Sequence, residues 1–353
     1  MDNLENSESP KTAFTYSGSG VDIRHTDALK EGISGLISSD DTRVLNGLGP
    51  FASLYDIKFD DIKHPILVLK SEEPGSKQKL AIEYGFAESI GHDMVNHLVN
   101  DIAVMGATPL AVLDTIVCGA AENETITRLI KGIADACREN ECSLVGGETS
   151  VQPGIVDTGT YILSSSIAGI IEKDKIIDGS RITQGDIVLA VASNGLHTNG
   201  YSLIRLLMSE IPQMVKENVG SETFIEAIMK PHTAYYKAIK GLAGRSGVSG
   251  MAHITGGGIE GNLRRVIPDG LCASVDLAQI KTLPIFRHIR ERGSISDTEM
   301  LNTFNCGVGL ILVVSSSAVD SVIKHVMKFH DCYPIGSILL GTSKISFRNN
   351  LLW

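Results

Sequence analysis

The sequence predicts a two-domain α/β protein, and three observations carry that expectation. Its 353 residues suit two domains of ordinary size. Short apolar runs of strand length alternate with stretches of helical periodicity. Each half of the chain shows this alternation on its own, and a charged stretch with two glycines, 172–185, lies between them. The expected division is a lead-in at 1–12, an N-terminal domain at 13–172 and a C-terminal domain at 173–353. With 43% hydrophobic and 20% charged residues the composition is that of a globular chain with a buried core.

Composition also narrows the partners. The net charge is −10, no Lys/Arg cluster stands out and aromatics are 5%, which argues against nucleic acid. No apolar run approaches the roughly 18 residues of a membrane span, and the N-terminus has no signal-peptide pattern. The six cysteines show neither a CxxC pair nor zinc-like spacing, so reduced thiols in a cytoplasmic protein are expected. An acidic chain still binds phosphates when a divalent cation and backbone N–H groups supply positive potential.

In chain order, 13–24 is glycine-rich and leads to a helix near 27–36, with a second flexible loop at 46–51. His64–Leu69 reads as a buried strand delivering the loop Lys70–Lys77, in which Glu72 and Glu73 are either metal ligands or solvated charges. That loop is not a Walker A sequence. Gly91–Pro109 is the centre of the pattern. As a helix it places Asp93, Asn96, His97, Asn100 and Asp101 on one face, an arc of about 140°. An amphipathic surface helix is the competing explanation. However, Asp, Asn and His are poor helix formers, whereas exposed faces favour Lys, Glu, Gln and Arg. A stripe of short oxygen and nitrogen ligands therefore points to a metal or phosphate site.

Strand-like Leu110–Val117 follows, then a helix at Asn123–Asn140 and a short strand at Cys142–Val145. The strand ends in a Gly146-Gly147 turn that sets Glu148 where a backbone approaches a ligand closely. Tyr161–Ile171 is another strand. In the second half, strand Ile187–Ala192, loop 193–200 and helix Tyr201–Leu207 form an anion-binding junction. Residues 208–250 are helical with a polar insertion and carry no legible motif. His253–Gly258 and the helix Ile259–Val266 repeat the strand–glycine–helix plan. Asn305–Gly309 opens an apolar strand to Val314, and Ala318–Phe329 is a closing helix.

Taken together, Gly20-Val-Asp-Ile, Gly47-Leu-Gly, Asn100-Asp-Ile-Ala-Val-Met-Gly-Ala, Ser143-Leu-Val-Gly-Gly-Glu-Thr, His197-Thr-Asn-Gly-Tyr-Ser-Leu, His253-Ile-Thr-Gly-Gly-Gly and Phe304-Asn-Cys-Gly-Val-Gly resemble the aminoimidazole ribonucleotide synthetase family. These are the phosphoribosylformylglycinamidine cyclo-ligases of purine biosynthesis. The resemblance runs from about Tyr16 to about Leu340. It implies a homodimer whose N-terminal mixed sheets pair into a barrel, with ATP near that interface, and a C-terminal α/β domain that completes a cleft for a ribonucleotide. ATP would activate a formamide oxygen as an imidate phosphate, and an amidine nitrogen would close the imidazole ring.

By motif match, Asp93, Asp101 and Glu148 would be the Mg²⁺ and ATP carboxylates, with Asn100, Glu72 and Lys77 also on the nucleotide. Asn199, Gly200, Thr255, Gly256 and Gly257 would hold the ribonucleotide, and His197 would transfer the proton, with Asp93 beside it in the chemistry. The family pattern Thr-Asp-Gly-Val-Gly-Thr-Lys stands here as Ser71-Glu-Glu-Pro-Gly-Ser-Lys77. Val151 and Ile162 replace a family glutamate and aspartate. A paralogue acting on another amide or amidine, and a relative without catalysis, are the alternative readings.

Overall fold

The computed structural model describes residues 32–353 apart from 34, 38, 39, 48, 49, 244 and 246. The expected lead-in, the glycine-rich segment 13–24 and most of the helix near 27–36 lie outside those residues, as does part of the Gly47-Leu-Gly motif.

Two sheets organise the chain. The first has the order β1-β4-β2-β3, built from β1 (Pro65–Glu72), β2 (Thr108–Cys118), β3 (Ser143–Val151) and β4 (Tyr161–Glu172). It is mixed: β4 runs antiparallel to β1 and β2, and β2 is parallel to β3. Between these strands lie α1 (Lys77–Glu83), α2 (Ala87–Ala103) and α3 (Asn123–Glu139). Alternation along the strands sends Val68, Lys70, Glu72, Val112, Asp114, Ile116, Leu163, Ser165 and Ile167 to the helix side. The opposite face presents Leu67, Leu69, Leu113 and Ile162 to solvent.

The second sheet is six-stranded, order β12-β9-β11-β5-β10-β8. Its strands are β5 (Ile187–Ala192), β8 (Val248–His253), β9 (Leu271–Asp276), β10 (Val308–Val314), β11 (Cys332–Leu340) and β12 (Ile345–Arg348), antiparallel except for the β9–β12 pair. Helices α4 (Tyr201–Glu210), α5 (Phe224–Met229), α6 (Tyr236–Ile239), α7 (Gly258–Leu263), α8 (Pro284–Gly293), α9 (Asp297–Thr303) and α10 (Val319–Val326) and a two-residue hairpin, β6 (Asn218–Val219) with β7 (Glu222–Thr223), complete it. Strand β10 is buried at every position, as its unbroken apolar run requires.

Three expectations need correction. Gly146-Gly147 is not a turn, because β3 runs through it to Val151. Gly147 lies beside Asp114 on β2, and a Cβ there would collide with the Asp114 carboxylate. Residues 208–250 hold more than a helix with a polar insertion: the β6–β7 hairpin and the short helices α5 and α6 occupy them, and 230–235 between those helices form no regular element. Nor does the chain close on a helix: β11 and β12 follow α10.

Candidate functional site between the two sheets

Helix α2 carries the polar stripe, and the structure divides it into two working parts. Asp93, Asn96 and Asn100 are buried and bind the backbone of the irregular connection 230–235. Asp93 Oδ1 accepts the His232 N–H at 2.6 Å. Asn96 donates to the His232 carbonyl at 2.7 Å. Asn100 donates to the Thr233 carbonyl at 2.8 Å and accepts the Tyr235 N–H at 2.9 Å. Short amide and carboxylate side chains on a helix thus satisfy backbone groups of a connection that no helix or sheet pairs. This seam joins the N-terminal helix to the C-terminal half.

Lys77 belongs to the same seam. Its Nζ lies 2.8 Å from Asp93 Oδ2 and donates to the Lys230 carbonyl at 2.7 Å, with no exposure at either charged side chain. Burial pushes the Asp93 carboxyl up and the Lys77 amine down. Asp93, Lys77 and Asn100, expected at metal and nucleotide, are thus committed to each other and to the backbone.

His97 and Asp101, one turn on, enter a different group. Asp101 Oδ1 accepts from His253 Nδ1 at 2.7 Å, and His253 Nε2 lies 2.8 Å from His232 Nε2. His232 stacks on His197, ring centroids 4.0 Å apart. Thr198 Oγ1 contacts His97 Nδ1 at 3.2 Å and His232 Nδ1 at 3.4 Å, and Thr233 Oγ1 meets His197 Nε2 at 3.1 Å. His197 takes the left-handed backbone, φ +62°, and a Cβ at Gly309 would come 2.6 Å from its ring. The last glycine of Phe304–Gly309 is what admits the imidazole.

The open side of this group is acidic. Lys70 Nζ lies 2.8 Å from Glu72 and 3.2 Å from Asp101. His97 Nε2 sits 3.9 Å from Glu72 and 3.7 Å from Asp101. Burial, then the charge of His253, press His97 down to about 4. Burial alone would raise Asp101, but the His253 hydrogen bond and the His97 and Lys70 charges hold it below the usual carboxylate range. At pH 7 the group therefore presents ionised Asp101 and neutral His97.

Beside it two loops face each other. A Cβ on Gly256 would lie 3.2 Å from Asn199 Oδ1, and Asn199 Nδ2 is a buried donor with no partner among the described residues. Gly200 and Gly257, both with left-handed φ, begin α4 and α7. Thr255 Oγ1 contacts Asn262, which in turn binds the Gly256 and Gly258 carbonyls. Glu148 stands apart. In register with Thr115 and Ser164, it points to the outer face of the first sheet, away from Asp101.

His232 and Thr233 escaped the sequence reading because no spacing links them to residues on α2 or β8. Asp114, buried on the helix side of the first sheet with its carboxyl raised to about 7, was also missed. Its only sequence signal was a charge inside an apolar strand.

Comparison with known proteins now gives the class. Residues 67–171 match the family model described as AIR synthase related protein, N-terminal domain, and 183–345 match the corresponding C-terminal domain. Among solved structures the fold is like that of E. coli HypE (TM-score 0.67, 16% identity, 91% of this chain and 93% of that one). It is also like thiamine-monophosphate kinase from Stenotrophomonas maltophilia (0.64, 15%, 92% and 97%). The chain is an AIR synthase-related protein.

Closer relatives refine this. Phosphoribosylformylglycinamidine cyclo-ligase of Methylobacillus flagellatus is 41% identical over 312 residues, 88% of this chain and 90% of the relative. That of Burkholderia cenocepacia is 38% identical over 320 residues, 89% and 91%. The bifunctional purine biosynthetic protein purD of Dictyostelium discoideum is 40% identical over 95% of this chain, which spans 42% of that longer protein. The chain belongs to the phosphoribosylformylglycinamidine cyclo-ligase family.

Proposed function

We propose that this protein is an ATP-dependent cyclo-ligase that closes the imidazole ring of formylglycinamidine ribonucleotide in purine biosynthesis. The observation that carries the reading is identity near 40% across nine-tenths of the chain to proteins of that name. The site between the two sheets supports it, because the hard oxygen donors Glu72 and Asp101 lie at the histidine group beside which the loops at Asn199–Gly200 and Thr255–Gly257 face each other.

Glu72 and Asp101 are the carboxylates that fit a magnesium ion. Both are oxygen donors, both are partly exposed, and the Lys70 ammonium already bridges them. A bound Mg²⁺ would neutralise phosphate charge there. Lys70 is free to turn to a phosphate oxygen when a cation takes its place. Asp93, Lys77 and Asn100 act by position, holding segment 230–235 against α2. Glu148 is assigned to nucleotide at the outer sheet face, where two protomers of a homodimer would meet.

The unpartnered Asn199 amide, with Gly200 and Thr255 to Gly257, is suited to the ribonucleotide phosphate. ATP makes the formamide oxygen a leaving group. The amidine nitrogen then attacks the same carbon, phosphate departs and one proton is lost. Closure is unimolecular, so holding the two ends together removes much of the barrier. His197 is the proton acceptor in this scheme, because its Nδ1 has no other partner and burial keeps the ring neutral. The six described cysteines are buried and free, which supports a reducing, cytoplasmic setting. Among the described residues no helix is long and apolar enough to cross a membrane.

The test is turnover with formylglycinamidine ribonucleotide, ATP and magnesium, following the aminoimidazole product and released phosphate. Asp101→Asn is expected to lower kcat about a hundredfold or more, since it removes charge where phosphate charge must be met. Phosphate release without aminoimidazole would favour a different amide or amidine substrate. Neither product from folded protein would sink the ligase reading.

A further inference from the structure

Glu72 and Asp101 each have one carboxylate oxygen engaged locally. Asp101 Oδ1 accepts from His253 Nδ1 at 2.7 Å, and Glu72 Oε1 accepts the Glu73 N–H at 3.3 Å. The two oxygens left over meet a single ammonium. Lys70 Nζ stands 2.8 Å from Glu72 Oε2 and 3.2 Å from Asp101 Oδ2. Among the described residues no other lysine or arginine pairs with either carboxylate. Strand geometry puts the lysine there: Lys70 and Glu72, two apart on β1, share the face turned to α2 and its Asp101.

We infer that Lys70 is a tethered cation that occupies the magnesium carboxylates in the empty protein and couples metal binding to nucleotide binding. The inference rests on the reading of Glu72 and Asp101 as magnesium ligands at an ATP site. It gives a task to a residue that the motif match leaves out.

The argument is one of competition. A divalent ion needs the same two oxygens that Lys70 holds, and two cations cannot crowd onto them without strong repulsion. Metal binding alone therefore has to turn the ammonium out into solvent and break two charge-assisted contacts. A triphosphate changes that balance, because its oxygens receive the released ammonium. Lysine suits the exchange, being a compact point charge on a flexible stem. Each ligand thus lowers the cost of binding the other, and linkage makes the effect reciprocal.

The surroundings permit the swing. Lys77 is locked against Asp93 with no exposure, whereas Lys70, Glu72 and Asp101 keep 34%, 29% and 23% of their side-chain surface open. That openness also limits the effect. A half-solvated ion pair is worth little, so the coupling is expected at about tenfold.

The experiment is a titration of full-length protein with Mn²⁺, standing in for magnesium, without nucleotide, followed by the electron paramagnetic resonance of the free ion. Lys70→Met is expected to bind Mn²⁺ about tenfold more tightly than the wild type, and Lys70→Arg, which keeps the charge, no more tightly. Calorimetry with a non-hydrolysable ATP analogue at saturating magnesium is expected to move the opposite way, about tenfold weaker in Lys70→Met. A lysine that only supports the fold would weaken both. Adding Asp101→Asn to Lys70→Met is expected to abolish Mn²⁺ binding. If Mn²⁺ still binds there, or never binds Lys70→Met at all, the magnesium reading falls and this inference with it. If Asp101 proves necessary but folded Lys70→Met binds Mn²⁺ no better than the wild type, or the analogue equally well, the role of Lys70 alone is overturned. Lys70→Gln decides in the same way should Lys70→Met not fold.

Discussion

Asp114 shows most simply how one side chain can couple the fold to pH. It is buried on the helix side of the first sheet, and burial, with Glu148 nearby, raises its carboxyl to about 7. Its folded value thus lies above the unfolded one. The neutral acid is favoured by the fold, and its contribution is full below about pH 4 and is lost as pH rises through about 7. A gap of about three units corresponds to about 4 kcal/mol. Asp114→Asn keeps the shape and cannot ionise, so the variant is expected to hold its stability from pH 5 to pH 8 while the wild type declines. Urea melts at four pH values across that range measure this; parallel profiles would show that Asp114 ionises freely in place.

At the level of elements, α2 is where sequence reasoning went furthest and where it stopped. Its existence and buried faces were legible from periodicity, and the unusual polar stripe marked it as something other than a solvated surface. What the stripe binds was not legible, because backbone N–H and C=O groups of 230–235 leave no signature in the side chains that carry them. Asp93 therefore reads in the sequence as a magnesium carboxylate and Asn100 as a phosphate contact. His97 and Asp101 do reach a polar cleft, but the histidine opposite them, His232, lies 135 residues away in a stretch without pattern. Strands β5 and β10 were readable as apolar runs, whereas β9, β11 and β12 are half-exposed at their ends or interrupted by polar residues and went unread.

The seam makes a prediction of its own. Asn100→Ala strands two backbone groups, at Thr233 and Tyr235. It is expected to cost about 2–4 kcal/mol in denaturant unfolding. A nucleotide ligand at that position would instead raise the KM for ATP and leave unfolding within about 1 kcal/mol, so the two measurements separate the roles.

For the whole molecule, the first sheet poses the question of what covers its second face. A sheet with helices on one side and water on the other usually turns polar residues outward. Here Leu67, Leu69, Leu113 and Ile162 point outward together, at 57%, 68%, 47% and 47% exposure. The strand registers place all four on one surface with Glu148 and Thr115. A contiguous apolar face of that kind marks an association surface. A second copy of this chain is the occupant we propose, the homodimer that the sequence resemblance implies, each copy offering the same patch to the other. Leu69 lies near the middle of β1, the sheet's edge strand, with its side chain on this surface. A lysine there would bury a charge in the dimer yet sit harmlessly in water in the monomer. Leu69→Lys is therefore expected to halve the mass measured by sedimentation equilibrium while leaving far-UV circular dichroism unchanged. A variant that stays dimeric would mean that the two copies meet somewhere other than this face, and the nucleotide role assigned to Glu148 would lose its setting.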